Sequence, residues 1–170
     1  MTMKKRSISF RAGNQPKVDF GVLMTMLFGV GFFLHFFWEM MQVPFYQNMA
    51  DRPHFQVVLE CARASLGDAG IMLVAYAASV LIIRRPFWLL QNRLLPSMTV
   101  FWVTGEVITI AIEGWATQAG AQWRYSKLMP TLPILGTGLL PVLQWLIVPF
   151  ITLWVSRWSY IGWRFGQPEL

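Results

Sequence analysis

Residues 20–39 read FGVLMTMLFGVGFFLHFFWE, and before the closing Glu39 the only strongly polar side chain among them is His35. Wound as a helix rising 1.5 Å per residue, about twenty residues extend roughly 30 Å, the thickness of the hydrocarbon core of a bilayer. The stretch therefore predicts a membrane-spanning helix, and three later segments repeat the pattern. Between Arg63 and Arg84, Asp68 stands alone among clearly ionisable groups. Residues 97–118 carry Glu106 and Glu113, and residues 132–155 carry Pro133, Pro141 and Pro149, with Gly136 and Gly138 between the first two. The expected spans are 20–43, 60–83, 97–118 and 132–155. They make one domain over 19–158, flanked by a basic cytoplasmic tail, 1–18, and a second cytoplasmic tail, 159–170. The fold class is all-α: an integral membrane, antiparallel four-helix bundle with short connections and no repeat.

Composition agrees. The chain is 55% hydrophobic and only 13% charged, against roughly 25% charged in soluble domains. Its net charge of +6 is spread over tails and connections and does not form one basic face, which argues against nucleic acid as a partner. Cys61 is the only cysteine, so an intrachain disulfide or a thiolate metal cluster is ruled out. The basic start resembles that of a cleaved leader. The apolar run is too long for one, however, and no small-x-small site precedes Glu39, so the first span is expected to be retained.

Orientation follows from the distribution of cations. Lys4, Lys5, Arg6, Arg11, Lys17, Arg84, Arg85, Arg93, Arg157 and Arg164 fall on the side of the termini, and Arg52, Arg63, Arg124 and Lys127 on the other. The positive-inside bias then places both termini in the cytoplasm of a cell (inner) membrane. Trp88, Trp123, Trp158, Tyr160 and Trp163 fall near expected boundaries, where interfacial anchors belong. Interior prolines of the fourth span are expected to kink it. The small residues Ala64, Gly67, Ala69, Gly70, Ala75, Ala77 and Ala78 predict close helix approach along the second, with Gly67 and Ala75 at the interface.

Five ionisable groups in or beside hydrocarbon carry the functional information, because each costs several kcal/mol unless it finds partners. His35 and Glu39 are four residues apart and Gln42 follows at three, so they share a helix face, as do Glu106, Thr109 and Glu113. Counted from the cytoplasmic ends, His35, Glu39, Asp68 and Glu113 lie in the outer half of the bilayer, with Glu106 about two turns deeper than Glu113. The expected site is one cavity opening toward the outer leaflet, lined by Glu39, Asp68 and Glu106, with His35 and Glu113 in or just behind its lining. Gln42 and Gln144 add hydrogen-bonding groups, and Trp38, Tyr46, Trp115, Trp123 and Tyr125 add aromatic walls.

Each residue also has a structural explanation. Glu39 at the water interface would pair with Arg63 or Arg124, and Asp68 near a helix start is favoured by the helix dipole. Glu113 near the exit is explained by the interface alone, and a lone His35 by a satisfied core position. His35 with Glu39 has the spacing that lets two ligands reach one ion, but no HExxH or second histidine-bearing helix accompanies it, and no metal is assigned. One axial candidate is weak support for haem or a chlorophyll-type pigment. No motif identifies a cofactor, nor does any G-x-S-x-G, P-loop or CxxC occur.

A carboxyl group held away from water favours its neutral form and so can donate a proton, and aromatic faces stabilise a developing cation. The leading expectation is acid/base chemistry, of an isomerase or cyclase type, on a membrane lipid or isoprenoid-type ligand, or binding of it. A noncatalytic accessory subunit or assembly factor of a larger membrane complex, in contact with lipid or pigment, is the alternative. A proton-coupled or ion transporter, which would require a homo-oligomer, comes third. Topology is tested directly: reporter fusions after Leu170 and within 119–127 should report opposite compartments, with the C-terminal fusion cytoplasmic.

Overall fold

A computed structural model describes residues 19–47, 49, 51–91, 94–119, 123–133 and 136–166. The expected tail over 1–18 lies outside them. The fold is all-α, with four helices each long and apolar enough to cross a membrane. Helix α1 is Phe20–Gln42, α2 His54–Ile83, α3 Leu95–Gly114 and α4 Leu139–Phe165. Short 3-10 turns, Val43–Phe45 and Trp88–Leu90, follow α1 and α2, and a π-helical turn, Trp115–Ala119, continues α3.

Local chemistry sets most of these bounds. Asp19 caps α1 by accepting from Val22 N at 3.1 Å, and Pro44 draws the exit of α1 into a 3-10 turn because it has no N–H to continue the helix. Arg84 ends α2 in the left-handed conformation, φ 58°, with its N–H on Val80 O at 2.7 Å. Pro96 sits in the first turn of α3, where a missing N–H costs nothing.

The spans differ from expectation at several ends. Helix α2 starts at His54 instead of about residue 60, and α3 at Leu95 instead of 97. The largest difference is α4, which starts at Leu139 and not at 132, and runs through Phe165, so residues 159–165 of the expected tail are helical. Pro133, Gly136 at φ 65° and Gly138 favour turns over helix. Residues 130–132 instead pair with residues 137–139: Leu132 N donates to Thr137 O at 2.9 Å and Leu139 N to Pro130 O at 2.7 Å. Pro141 thus falls in the first turn, and only Pro149 is an interior proline of α4. The far end of α4 is held by tertiary bonds. Asp19 N donates to Tyr160 Oη at 2.9 Å, and Arg157 Nη1 donates to the carbonyls of Leu89 and Gln91 at 2.8 and 3.0 Å.

Helices α1 and α3 each pack on both α2 and α4. Near the start of α1 the core is aromatic: Tyr76 and Trp88 stack with ring centres 5.0 Å apart, and Trp88 meets Phe101 at 6.1 Å. Trp88 is 0% exposed and Tyr160 1%, so neither is an interfacial anchor; the turn that carries Trp88 tucks its ring under the bundle. Trp158 is exposed.

The small-residue expectation for α2 divides. Ala69 and Ala75 are fully buried in the helix packing. At Gly67 and Gly70, by contrast, an added Cβ would meet nothing within 4 Å, so Gly67 is no packing interface. The tight approaches lie elsewhere. A Cβ at Gly31 would stand 2.9 Å from Met72 Sδ, and one at Gly105 would overlap the six-membered ring of the fully buried Trp145. Gly105→Ala should therefore lower the unfolding free energy in detergent by about 1–3 kcal/mol through overpacking, while Gly67→Ala should change it little; unfolding titrations of both variants check this.

Candidate functional site

The α1 face that carries His35, Glu39 and Gln42 meets α4 at Gln144 and α2 at Asp68. Gln144 Nε2 lies 2.8 Å from His35 Nδ1, 3.2 Å from Glu39 Oε1 and 3.2 Å from Asp68 Oδ2. His35 Nδ1 and Asp68 Oδ2 are themselves 3.4 Å apart. An amide nitrogen has two protons, so it cannot serve all three neighbours as a donor. At 2.8 Å the lone pair of His35 Nδ1 accepts one of these protons, which leaves the other for the two carboxylates at 3.2 Å. His35 is fully buried, and its Nε2 has no hydrogen-bond partner among the described residues.

Two further donors hold the carboxylates in place. Gln42 Nε2 donates to Glu39 Oε1 at 2.7 Å, one helical turn along α1. Trp145 Nε1 donates to Asp68 Oδ1 at 3.3 Å, and its ring lies 5.8 Å from that of His35.

The second cluster closes the same end of the bundle. Glu113 Oε2 accepts from Tyr125 Oη and, at 3.3 Å, from Trp123 Nε1. Tyr125 Oη in turn accepts from Gly138 N at 2.9 Å. The segments after α1 and α3 pair as a short bridge at Tyr46 and Tyr125, with Gln47 N on Arg124 O at 2.8 Å and Ser126 N on Phe45 O at 2.9 Å. Burial pushes the phenols of Tyr46 and Tyr125 upward, helped by the neighbouring Glu113 carboxyl, so both remain protonated donors at neutral pH.

Between these clusters lies a cavity of ≈ 820 Å³, within the roughly 300–1,000 Å³ of small-molecule sites. Glu39, Asp68 and Gln144 lie at its polar end, Ile71, Thr109 and Ile112 along its wall, and Glu113, Tyr46 and Trp123 toward the connecting segments. Arg52, Arg63 and Arg124 also line it. Among the described residues, no group of three or more His, Cys, Asp or Glu is placed to hold a metal ion.

Several expected lining residues lie elsewhere. Glu106 does not border the cavity, and neither of its carboxyl oxygens has a partner among the described residues. The fully buried Trp145 ring lies against Gly105, the residue before Glu106, and neither of these borders the cavity. Trp115 is 57% exposed and belongs to the outer surface, and Trp38 does not border the cavity either. His35, Gln42 and Tyr125 act from behind, through Gln144, Glu39 and Glu113.

Sequence reasoning missed Trp145. Its one available signal was Gly105 on α3, a gap that a large ring could fill. No known protein family, characterised protein or solved structure matches this chain. Removing the hydroxyl that bridges Glu113 and Gly138 isolates this end of the site. Tyr125→Phe should cost about 1–3 kcal/mol, the usual penalty for a buried polar group losing its partner, and speed amide exchange at Gly138 and Gln47. Trp115→Phe should do neither; hydrogen-exchange mass spectrometry on both variants decides.

Proposed function

We propose that this protein is a membrane-embedded acid/base catalyst or binder acting on a lipid or isoprenoid-type substrate, with Glu39 and Asp68 as its proton-handling groups. One observation carries the proposal: both carboxyl groups reach the single amide of Gln144 beside a cavity between membrane-length helices. Two carboxylates so close, away from bulk water, repel one another strongly. With one of them protonated and the other not, the pair provides an acid and a base on either side of the Gln144 amide.

The chemistry that suits such a pair is proton addition at one carbon of a bound substrate and proton removal at another, a net isomerisation or cyclisation that consumes no co-reactant. His35, 3.4 Å from Asp68, is placed to return the proton between turnovers. Tyr46 and Trp123 offer aromatic faces to a cationic intermediate in the cavity. With four antiparallel spans and both termini in the cytoplasm of a cell (inner) membrane, the cavity opens toward the outer leaflet.

A second reading has support of its own. Trp102 Nε1 and both oxygens of Glu106, one turn apart on α3, have no partners among the described residues. Trp102 stacks on Phe150 of α4, and Leu146, Phe150 and Trp154 expose an apolar ridge beside it. Those polar atoms are buried within the chain, and it is the apolar ridge beside them that offers a partner helix a surface, in a homo-oligomer or as a subunit of a larger membrane complex.

The two readings separate by mutation. Glu39→Gln and Asp68→Asn should each lower formation of the lipid product by roughly 10²–10⁴-fold at wild-type protein abundance, as read by mass spectrometry of cell lipid extracts. Glu106→Gln should leave the lipid profile unchanged. Under the subunit reading Glu106→Gln instead shifts the complex to lower mass on native gels, and the cavity variants leave lipids untouched.

A further inference from the structure

The arginines at the cavity raise a question that the carboxylates do not answer. Helix α2, with 30 residues, is about 45 Å long, some 15 Å more than the hydrocarbon it crosses. Arg84 and Arg85 directly follow its last residue, Ile83, which fixes that end at one membrane boundary, because guanidinium groups stay at the interface. Counting back about twenty residues brings the other boundary to Arg63. Arg63 thus stands at headgroup level and Asp68 about 8 Å inside, yet both line one cavity. That cavity runs from the headgroup layer into hydrocarbon.

The cations at this level are not equivalent. Arg52 is neutralised by Glu60, whose two oxygens accept from its Nη1 at 2.7 and 2.8 Å. Arg63 and Arg124 line the cavity and form no ion pair among the described residues. None of the acids Glu39, Asp68 and Glu113, which share the lining, forms an ion pair with either arginine. Glu39 is engaged by Gln42 and Gln144, Asp68 by Gln144 and Trp145, and Glu113 by Tyr125 and Trp123.

From this geometry we infer that Arg63 and Arg124 form a headgroup site for a phosphate-bearing lipid, which enters with its anionic group at the arginines and its apolar chain directed toward Glu39 and Asp68. Guanidinium forks match phosphate oxygens in a bidentate manner. The carboxyl groups deeper in the cavity repel the same anion, so the amphiphile is held in one orientation, with a carbon of its chain and not its phosphate at the acid/base pair. The inference rests on the lipid-substrate reading above and adds the chemical class of the substrate and its direction of entry.

The test is equilibrium binding to the full-length protein in uncharged detergent micelles, with three probes: farnesyl diphosphate, farnesol and inorganic diphosphate. Farnesyl diphosphate should bind at least tenfold tighter than either of the others. Arg63→Gln and Arg124→Gln should each weaken it at least tenfold, the Lys variants at those positions should recover part of the loss, and raised salt should weaken binding to the wild type. Thermal unfolding in the same micelles confirms that each variant is folded. Equal binding of farnesol and farnesyl diphosphate, or binding indifferent to both arginines, would overturn the headgroup site while leaving the lipid reading in place. Inorganic diphosphate binding as tightly as the amphiphile would show a free-phosphate site and overturn the lipid source. Failure of all three probes to bind overturns the inference, and the lipid-product assay on Glu39→Gln then stands as a separate test of the function.

Discussion

The amide of Gln144 is the contact on which this structure turns. Polar groups inside a bilayer have no water to fall back on, so each must find a partner within the protein or resist insertion. One amide nitrogen of α4 lies 2.8 to 3.2 Å from His35 and Glu39 of α1 and from Asp68 of α2, and its two protons are divided among them. Without it, the two acids would face each other across an apolar gap with only their own supports, Gln42 and Trp145. The polar residues that make a site possible are therefore also those that fix how three helices meet.

The two ends of the bundle are built on opposite principles. At the start of α1 the space is filled: Phe20, Tyr76, Trp88 and Phe101 pack ring on ring, and Asp19 and Tyr160 tie the first helix to the last. At the end of α1 the space is kept open, and rigidity comes from hydrogen bonds in the connections instead of from packing. Tyr125 ties Glu113 to the backbone of Gly138, and the pairing of Tyr46 with Tyr125 joins the segment after α1 to the segment after α3. A cavity at the filled end would lose dispersion contacts outright. At the bonded end it costs less, because the walls do not depend on its contents.

Trp145 joins the two regimes. Its indole N–H supports Asp68 while its ring occupies the gap left by Gly105, so one residue serves both the polar site and the packing beside it. Glu39, Asp68, Glu106 and Glu113 are all acids on membrane-length helices. Glu106 is left outside the cavity, its carboxyl oxygens buried and without a partner among the described residues.

The sequence by itself determined that four helices are long and apolar enough to cross a membrane, because hydrocarbon thickness converts directly into the length of an apolar run. It also placed His35, Glu39 and Gln42 on one face, because helical spacing is local. It misplaced the start of α4, where a membrane-length window gave no weight to the turn-forming Pro133, Gly136 and Gly138. Only the tertiary structure decided which acids share a cavity. Seven residues on one helix keep Glu106 and Glu113 on nearly the same face, and nothing along α3 distinguishes them. The difference lies in what other helices place around each position, such as the Trp145 ring of α4 against Gly105, and packing between residues forty positions apart leaves no periodic trace in the chain.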